Sequence, residues 1–147
     1  MRGVVPHSSG LLDVLLQLMR ELRRNYDARA EDMGLTMSRA RALTTLAGME
    51  GATQTALAAK LDIETPTLKR QLDALEVSGF IERRPLEGDA RKNALFLTPQ
   101  AHESGIVEFT RRVRAELLDG IDRDDLERTQ QVLEQILDNV SRLARDE

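Results

Sequence analysis

Residues 64–76 read ETPTLKRQLDALE. Leu68, Leu72 and Leu75 recur at steps of four and three, the spacing of one face of an α-helix. Thr65 reads as the N-cap and Pro66 as the first helical residue, where a missing N–H costs nothing. At about 100° per residue, Pro66, Arg70, Asp73 and Ala74 point away from the leucines, with Thr67 and Lys69 on the flanks. Alone, the stretch predicts an amphipathic helix, and the polar face of such a helix is ordinarily a solvated surface. Its neighbours decide what that face is for.

Upstream, a short helix is predicted from Thr53 or Gln54, with Leu57, Ala58 and Leu61 turned inward. Asp62, Ile63 and Glu64 form a tight turn between the two helices. Downstream, Ser78-Gly79 ends the helix, since glycine suits a left-handed cap. The period then becomes alternating. Phe80 to Arg84 predicts a strand, Pro85 to Lys92 (PLEGDARK) a turn built on Gly88 and Asp89, and Ala94 to Thr98 a second strand. Helix, three-residue turn, helix and basic hairpin together predict a helix-turn-helix followed by a wing.

The flanks are helical. Leu11, Leu15, Leu18 and Leu22 mark a first helix ending near Gly34, and a second starts at Thr36 or Ser38. Thr98-Pro99 repeats the threonine-proline start. A last helix, from about Arg123 to Arg145, carries Leu126, Thr129, Leu133, Ile136, Val140 and Leu143 at heptad-like spacing. The expected fold is mainly α with a small β-hairpin: a winged helix-turn-helix with N- and C-terminal dimerisation helices. Its expected parts are a flexible arm (1–9), an N-terminal dimerisation helix (10–35), the winged lobe (36–99) and C-terminal dimerisation helices (100–147). Dimerisation follows because both ends carry more apolar positions than a small winged core can cover.

Composition narrows the function. The chain has 147 residues, 41% hydrophobic and 31% charged, which suits a packed helical domain. Three Phe, one Tyr and no Trp leave little for a base-stacking platform. The absence of cysteine excludes disulfides, thiolate metal sites and thiol nucleophiles. His7 and His102 stand far apart without a third ligand, so no metal and no cofactor is expected. Met33, Met37 and Met49 read as core fillers. No Ser-His-Asp set or phosphate loop suggests an enzyme. No apolar run spans a bilayer, and the N-terminus lacks a signal core, so a cytoplasmic location is expected. The net charge of −4 argues mildly against nucleic acid. From Ser38 to Lys92, however, nine Lys/Arg face eight Asp/Glu, a net of +1, so the acidic excess lies elsewhere.

Within this frame the helix of residues 64–76 becomes a recognition helix. Arg70 is the base-reading candidate, because its guanidinium can grip guanine O6 and N7 in a bidentate pair. Thr65, Pro66, Thr67 and Lys69 are expected along the sugar-phosphate backbone, with Thr53 and Gln54 at the start of the preceding helix. Arg91 and Lys92 are expected at the wing tip, in the minor groove, with Asp89 holding the Arg91 guanidinium. Arg83 and Arg84 read equally well as strand charges paired with Glu82 and Glu87 or as DNA contacts. Asp73 must pair with a basic side chain or sit clear of the phosphates. Phe96, at an outward strand position, has no account.

Residues 53 to 101 resemble the multiple antibiotic resistance regulator (MarR) family of winged-helix transcription factors, and the SlyA-like branch in particular. The resemblance is carried by TQTALAAKLDIETPTLKRQLDALEVSGFIERR and by GDARKNALFLTPQA. Asp89 and Arg91 match the family's D-x-R wing motif, Arg70 its recognition-helix arginine and Leu97-Thr98 its strand-to-helix step. Ala90 stands where many relatives carry a further arginine. The resemblance implies a homodimer on a near-palindromic operator in double-stranded DNA, acting as a repressor. It also implies release by a small, anionic aromatic effector in a cleft lined by Leu18, Leu22, Met37, Arg39 and Leu43. The alternative is a winged-helix protein-interaction module without specific DNA binding.

Overall fold

The computed structural model describes residues 4–146, with side chains described for all of these except 4–9, 29, 30, 32 and 90. Seven helices and one hairpin follow in the order α1 (Val4–Ala30), a 3-10 turn (Glu31–Met33), α2 (Met37–Ala47), α3 (Gln54–Leu61), α4 (Thr65–Val77), β1 (Ile81–Leu86), β2 (Asp89–Leu97), α5 (Pro99–Ser104), α6 (Ile106–Leu118) and α7 (Arg123–Arg145). The chain divides into two compact units, Met1–Arg111 and Arg112–Glu147.

Helix α1 begins at Val4, inside the stretch expected to be a loose arm. Pro6 does not prevent this, because it falls in the first turn, where N–H groups lack intrahelical acceptors anyway. Residues 1–3 of that arm, and the His7 side chain, lie outside what is described.

The core of the first unit is built from α2, α3, α4, the hairpin, α5 and the start of α6. Leu43, Leu46, Leu57, Leu68, Leu72, Leu75, Leu95 and Ile106 are its largest fully buried side chains. Each such burial stabilises by about 1.5–3 kcal/mol before ordering entropy is counted. Tyr26, Met33 and Met49 pack against this core from its rim. Tyr26 also meets the Phe109 ring edge-on, with centroids 5.6 Å apart, and its hydroxyl hydrogen-bonds that of buried Thr110, which ties α1 to α6.

The local starts and stops follow from single residues. Thr53 caps α3 by accepting from the Ala56 N–H at 3.2 Å, and Thr36 caps α2 by accepting from Arg39 at 3.2 Å. Helix α3 ends on Asp62, which adopts φ 55° and makes the tight turn into α4. Aspartate tolerates that left-handed geometry better than most side chains. The N-cap of α4 is Glu64 rather than Thr65, so Thr65 and Pro66 occupy the first two helical positions, and no side chain caps the helix. The proline remains harmless one position later, because that N–H is equally unpaired.

The end of α4 sets up the wing. The Phe80 N–H reaches the Leu75 carbonyl at 2.9 Å, and the Gly79 N–H reaches Glu76 at 3.0 Å, with Gly79 at φ 85°. This is a Schellman cap, and it drops Phe80 into the core beside Leu75. The chain then enters β1, which pairs antiparallel with β2 from Ile81↔Leu97 to Pro85↔Asn93. The Thr98 hydroxyl donates to the Gly79 carbonyl at 2.6 Å and accepts from Ala101 at 3.2 Å, so it closes the hairpin and starts α5 together.

The second unit holds α7. Asp122 caps it through the Asp124 N–H at 2.9 Å, and Asp124 and Asp125 stand in its first turn, where they complement the helix dipole. None of its residues is buried.

Candidate nucleic-acid interface

The face of α4 opposite its buried leucines carries the predicted recognition residues. Thr65, Pro66, Thr67, Lys69 and Arg70 are all exposed, at the N-terminal end of the helix. Among the described residues Arg70 makes no ion pair, so its guanidinium donors are available. Thr53 and Gln54 line an open cleft of about 550 Å³ together with Arg91 and Lys92. The first turn of α3 and the basic part of the wing therefore border one groove. The Thr53 oxygen already serves as a cap, which leaves its hydroxyl proton free to donate.

The wing differs from the expected turn over residues 85–92. Both strands run on, and Glu87-Gly88 alone makes the tip, with Gly88 at φ 88°. Pairing jumps from Pro85↔Asn93 to Leu86↔Asp89, so residues 90–92 of β2 have no counterpart on β1. Arg91 and Lys92 thus sit in a bulge below the tip, both exposed. A bulge is a local device for re-aiming side chains. Asp89 also takes a different partner. Its carboxylate accepts from the Arg91 backbone N–H at 3.1 Å, so it shapes the bulge through the main chain rather than through the guanidinium.

Asp73 and the two strand arginines are resolved by the register. Arg83 lies opposite Leu95, on the inward face of the hairpin, and Arg84 opposite Ala94 on the other face. Arg83 reaches back to α4, donating to Asp73 Oδ1 and to Glu76 Oε1, both at 2.9 Å, and is only 17% exposed. Asp73 Oδ2 also accepts from Lys69 Nζ at 2.9 Å. Lys69 first and Arg83 second hold the Asp73 carboxyl below the usual carboxylate range. Arg84 instead pairs with Glu82 and lies over the Phe96 ring, 4.1 Å from its centroid. Phe96 itself packs against Gly51, where an added Cβ would stand 3.7 Å from the ring. Arg83 is therefore a structural clasp. Strand alternation could have found it, since it shares parity with buried Ile81. Its acidic partners could not be read without the hairpin's position on α4.

The residues expected to line an effector cleft separate. Leu43 is completely buried in the core and has no surface to offer a ligand, which corrects its assignment. Leu18 is half-exposed on α1, and Leu22, Met37 and Arg39 are partly buried. The clefts formed on this side have other linings. One of about 400 Å³ is bounded by Asp27, Glu31 and Thr36, and one of about 490 Å³ by Leu16, Met19, Arg20, Arg23 and Arg24.

A model of the MarR family matches residues 35–92, the segment from the end of the 3-10 turn through the wing bulge. Among solved structures, the transcriptional regulator PA3341 is 35% identical, with 90% of this chain and 98% of that chain covered and a TM-score of 0.69. The transcriptional regulator SlyA is 19% identical, with 90% and 94% covered and a TM-score of 0.75. MepR of S. aureus, solved in a complex with DNA, is 20% identical, with 86% and 95% covered and a TM-score of 0.74. The last two likenesses are of fold. The chain belongs to the MarR family.

Proposed function

We propose that the protein is a dimeric, sequence-specific DNA-binding transcriptional regulator that acts as a repressor, with α4 in the major groove and the wing in the minor groove. The observation that carries this reading is the lobe's polar surface. An exposed N-terminal half of α4 with an available Arg70 accompanies a groove bordered by Thr53, Gln54, Arg91 and Lys92. MepR, of the same fold, was solved bound to DNA, which supports the same use of this surface. Within the family, the chain is assigned to the SlyA-like branch on its resemblance over TQTALAAKLDIETPTLKRQLDALEVSGFIERR and GDARKNALFLTPQA.

Dimerisation rests on two uncovered apolar faces. Leu12, Leu16 and Met19, on one stripe of α1, are 47–59% exposed, and Leu137, Val140 and Leu143 on α7 are 57–69% exposed. Patches of this kind are ordinarily covered by a partner, and a second copy covers them with two-fold symmetry. The two recognition helices would then meet successive major grooves, about 10 bp apart, on a near-palindrome. A small anionic aromatic effector near Leu18, Leu22, Met37 and Arg39 would release DNA only by favouring one arrangement of the two lobes over the other.

Selection of bound duplexes from a randomised pool tests the reading. Enrichment of a palindrome with half-sites about one helical turn apart is expected. Recovery of no preferred sequence would favour the protein-interaction module instead.

A further inference from the structure

Resting on this DNA-binding reading, we propose that Asp73 is a specificity-determining residue: it holds Lys69 away from the phosphate backbone until the operator is closely docked. Four side chains make the device. Asp73 takes Lys69 on one carboxylate oxygen and Arg83 on the other, each at 2.9 Å, and Glu76 takes Arg83 again at 2.9 Å. Two cations and two anions sum to zero, so this side of α4 offers DNA no net charge.

The two ends of the cluster differ in mobility. Arg83 is 17% exposed and clamped by two carboxylates, which fixes Asp73 in place. Lys69 is 62% exposed on a flexible stem, so its ammonium can change partner. Asp73 is charged throughout the neutral range, because its neighbours favour the carboxylate.

A loosely held, non-operator duplex leaves its phosphates too far away to compete with a carboxylate in direct contact. On the operator, base contacts by Arg70 draw α4 into the groove, and a phosphate then takes Lys69 from Asp73. Sequence-independent binding thereby loses one cation per protomer that sequence-specific binding keeps. Each lysine–phosphate contact adds about 0.9 to the slope of log affinity against log salt, so the exchange can be counted.

The experiment measures that slope on the selected operator and on an unrelated duplex, for the whole chain and for Asp73→Asn, Lys69→Ala and the double variant. Asp73→Asn is expected to steepen the non-operator slope by about 0.9 per protomer, about 1.8 for the dimer, leave the operator slope in place and lower the operator preference. In the Lys69→Ala background the same change should do nothing. An unchanged non-operator slope overturns the proposal, and so does equal steepening without Lys69, which would mean simple repulsion by the carboxylate. Glu76 still holds Arg83 in Asp73→Asn. Should that variant nonetheless fail to fold, Lys69→Ala decides alone: it must flatten the operator slope by about 0.9 per protomer, about 1.8 for the dimer, and leave the non-operator slope unchanged. Absence of any operator preference in the unaltered protein would instead defeat the DNA-binding reading itself.

Discussion

Arg70 and Asp73 stand three residues apart on α4, yet one faces open solvent and the other a knot of charge. Replacing Arg70 by alanine is expected to cost about 1–3 kcal/mol of operator affinity and to relax the preference at the base it reads. Titrations against operators altered one base pair at a time check this, and equal affinity across them would remove Arg70 from base reading. Asp73 carries a pH signature as well. Its folded carboxyl lies below the ordinary value of 3.8, so its pairing stabilises the fold fully above that value. The contribution fades as pH falls from there through the lowered folded value. Urea unfolding should therefore separate the unaltered protein from Asp73→Asn at neutral pH, with the gap closing in acid. A gap that persists in strong acid would contradict the ion-pair account. The sequence left Asp73 either to pair with a basic side chain or to sit clear of the phosphates, and Lys69 one turn away was within its reach. Arg83 was not, because that contact crosses a cap, a corner and a strand register that no local spacing encodes.

At the scale of elements, the turn after α4 decides where the wing stands. Gly79 holds φ 85°, and a Cβ there would come within 2.6 Å of the Gln100 amide oxygen. That amide swings aside, at the loss of its 3.1 Å hydrogen bond to the Ser78 carbonyl. The left-handed backbone cannot relax, so Gly79→Ala should lower stability by about 1–2 kcal/mol, read as a lower thermal midpoint. An unchanged midpoint would show that the cap is not under this constraint. The starts of α2, α3, α5 and α7, the apolar faces and the αL stop were legible, because each depends on residues within one turn of the feature. The N-cap of α4 moved by one residue, since Glu64 supplies the extended backbone of a cap without using its side chain. The wing was misread as a long turn. Pro85, Gly88 and Asp89 are poor strand residues, but cross-strand pairing carries both strands past them and gathers the irregularity into the 90–92 bulge.

At the scale of the whole molecule, α7 is a helix whose apolar seam has no buried residue within one chain. A second copy is its expected cover. Leu137→Glu combined with Val140→Glu should yield monomers in sedimentation and weaken operator binding, because two half-sites are then no longer bound together. A dimer that survives both changes would place the interface elsewhere. The layout of helices and hairpin was readable from periodicity and turn residues. Which faces of the terminal helices meet was not, because a heptad-like seam reads the same whatever covers it.

The hairpin also presents a hazard that its proline answers. Strand β2 is flanked on both sides, by β1 and by the Gly51-Ala52 segment, which exchanges hydrogen bonds with Leu95 at 2.8 and 2.9 Å. Strand β1 pairs on one side only, and its outer edge could template another chain. Pro85 interrupts that row of donors, and Glu82, Arg83 and Arg84 crowd it with charge. A surface proposed to lie along a polyanion is thereby kept from zipping onto copies of itself, which matters most when the chain is newly made.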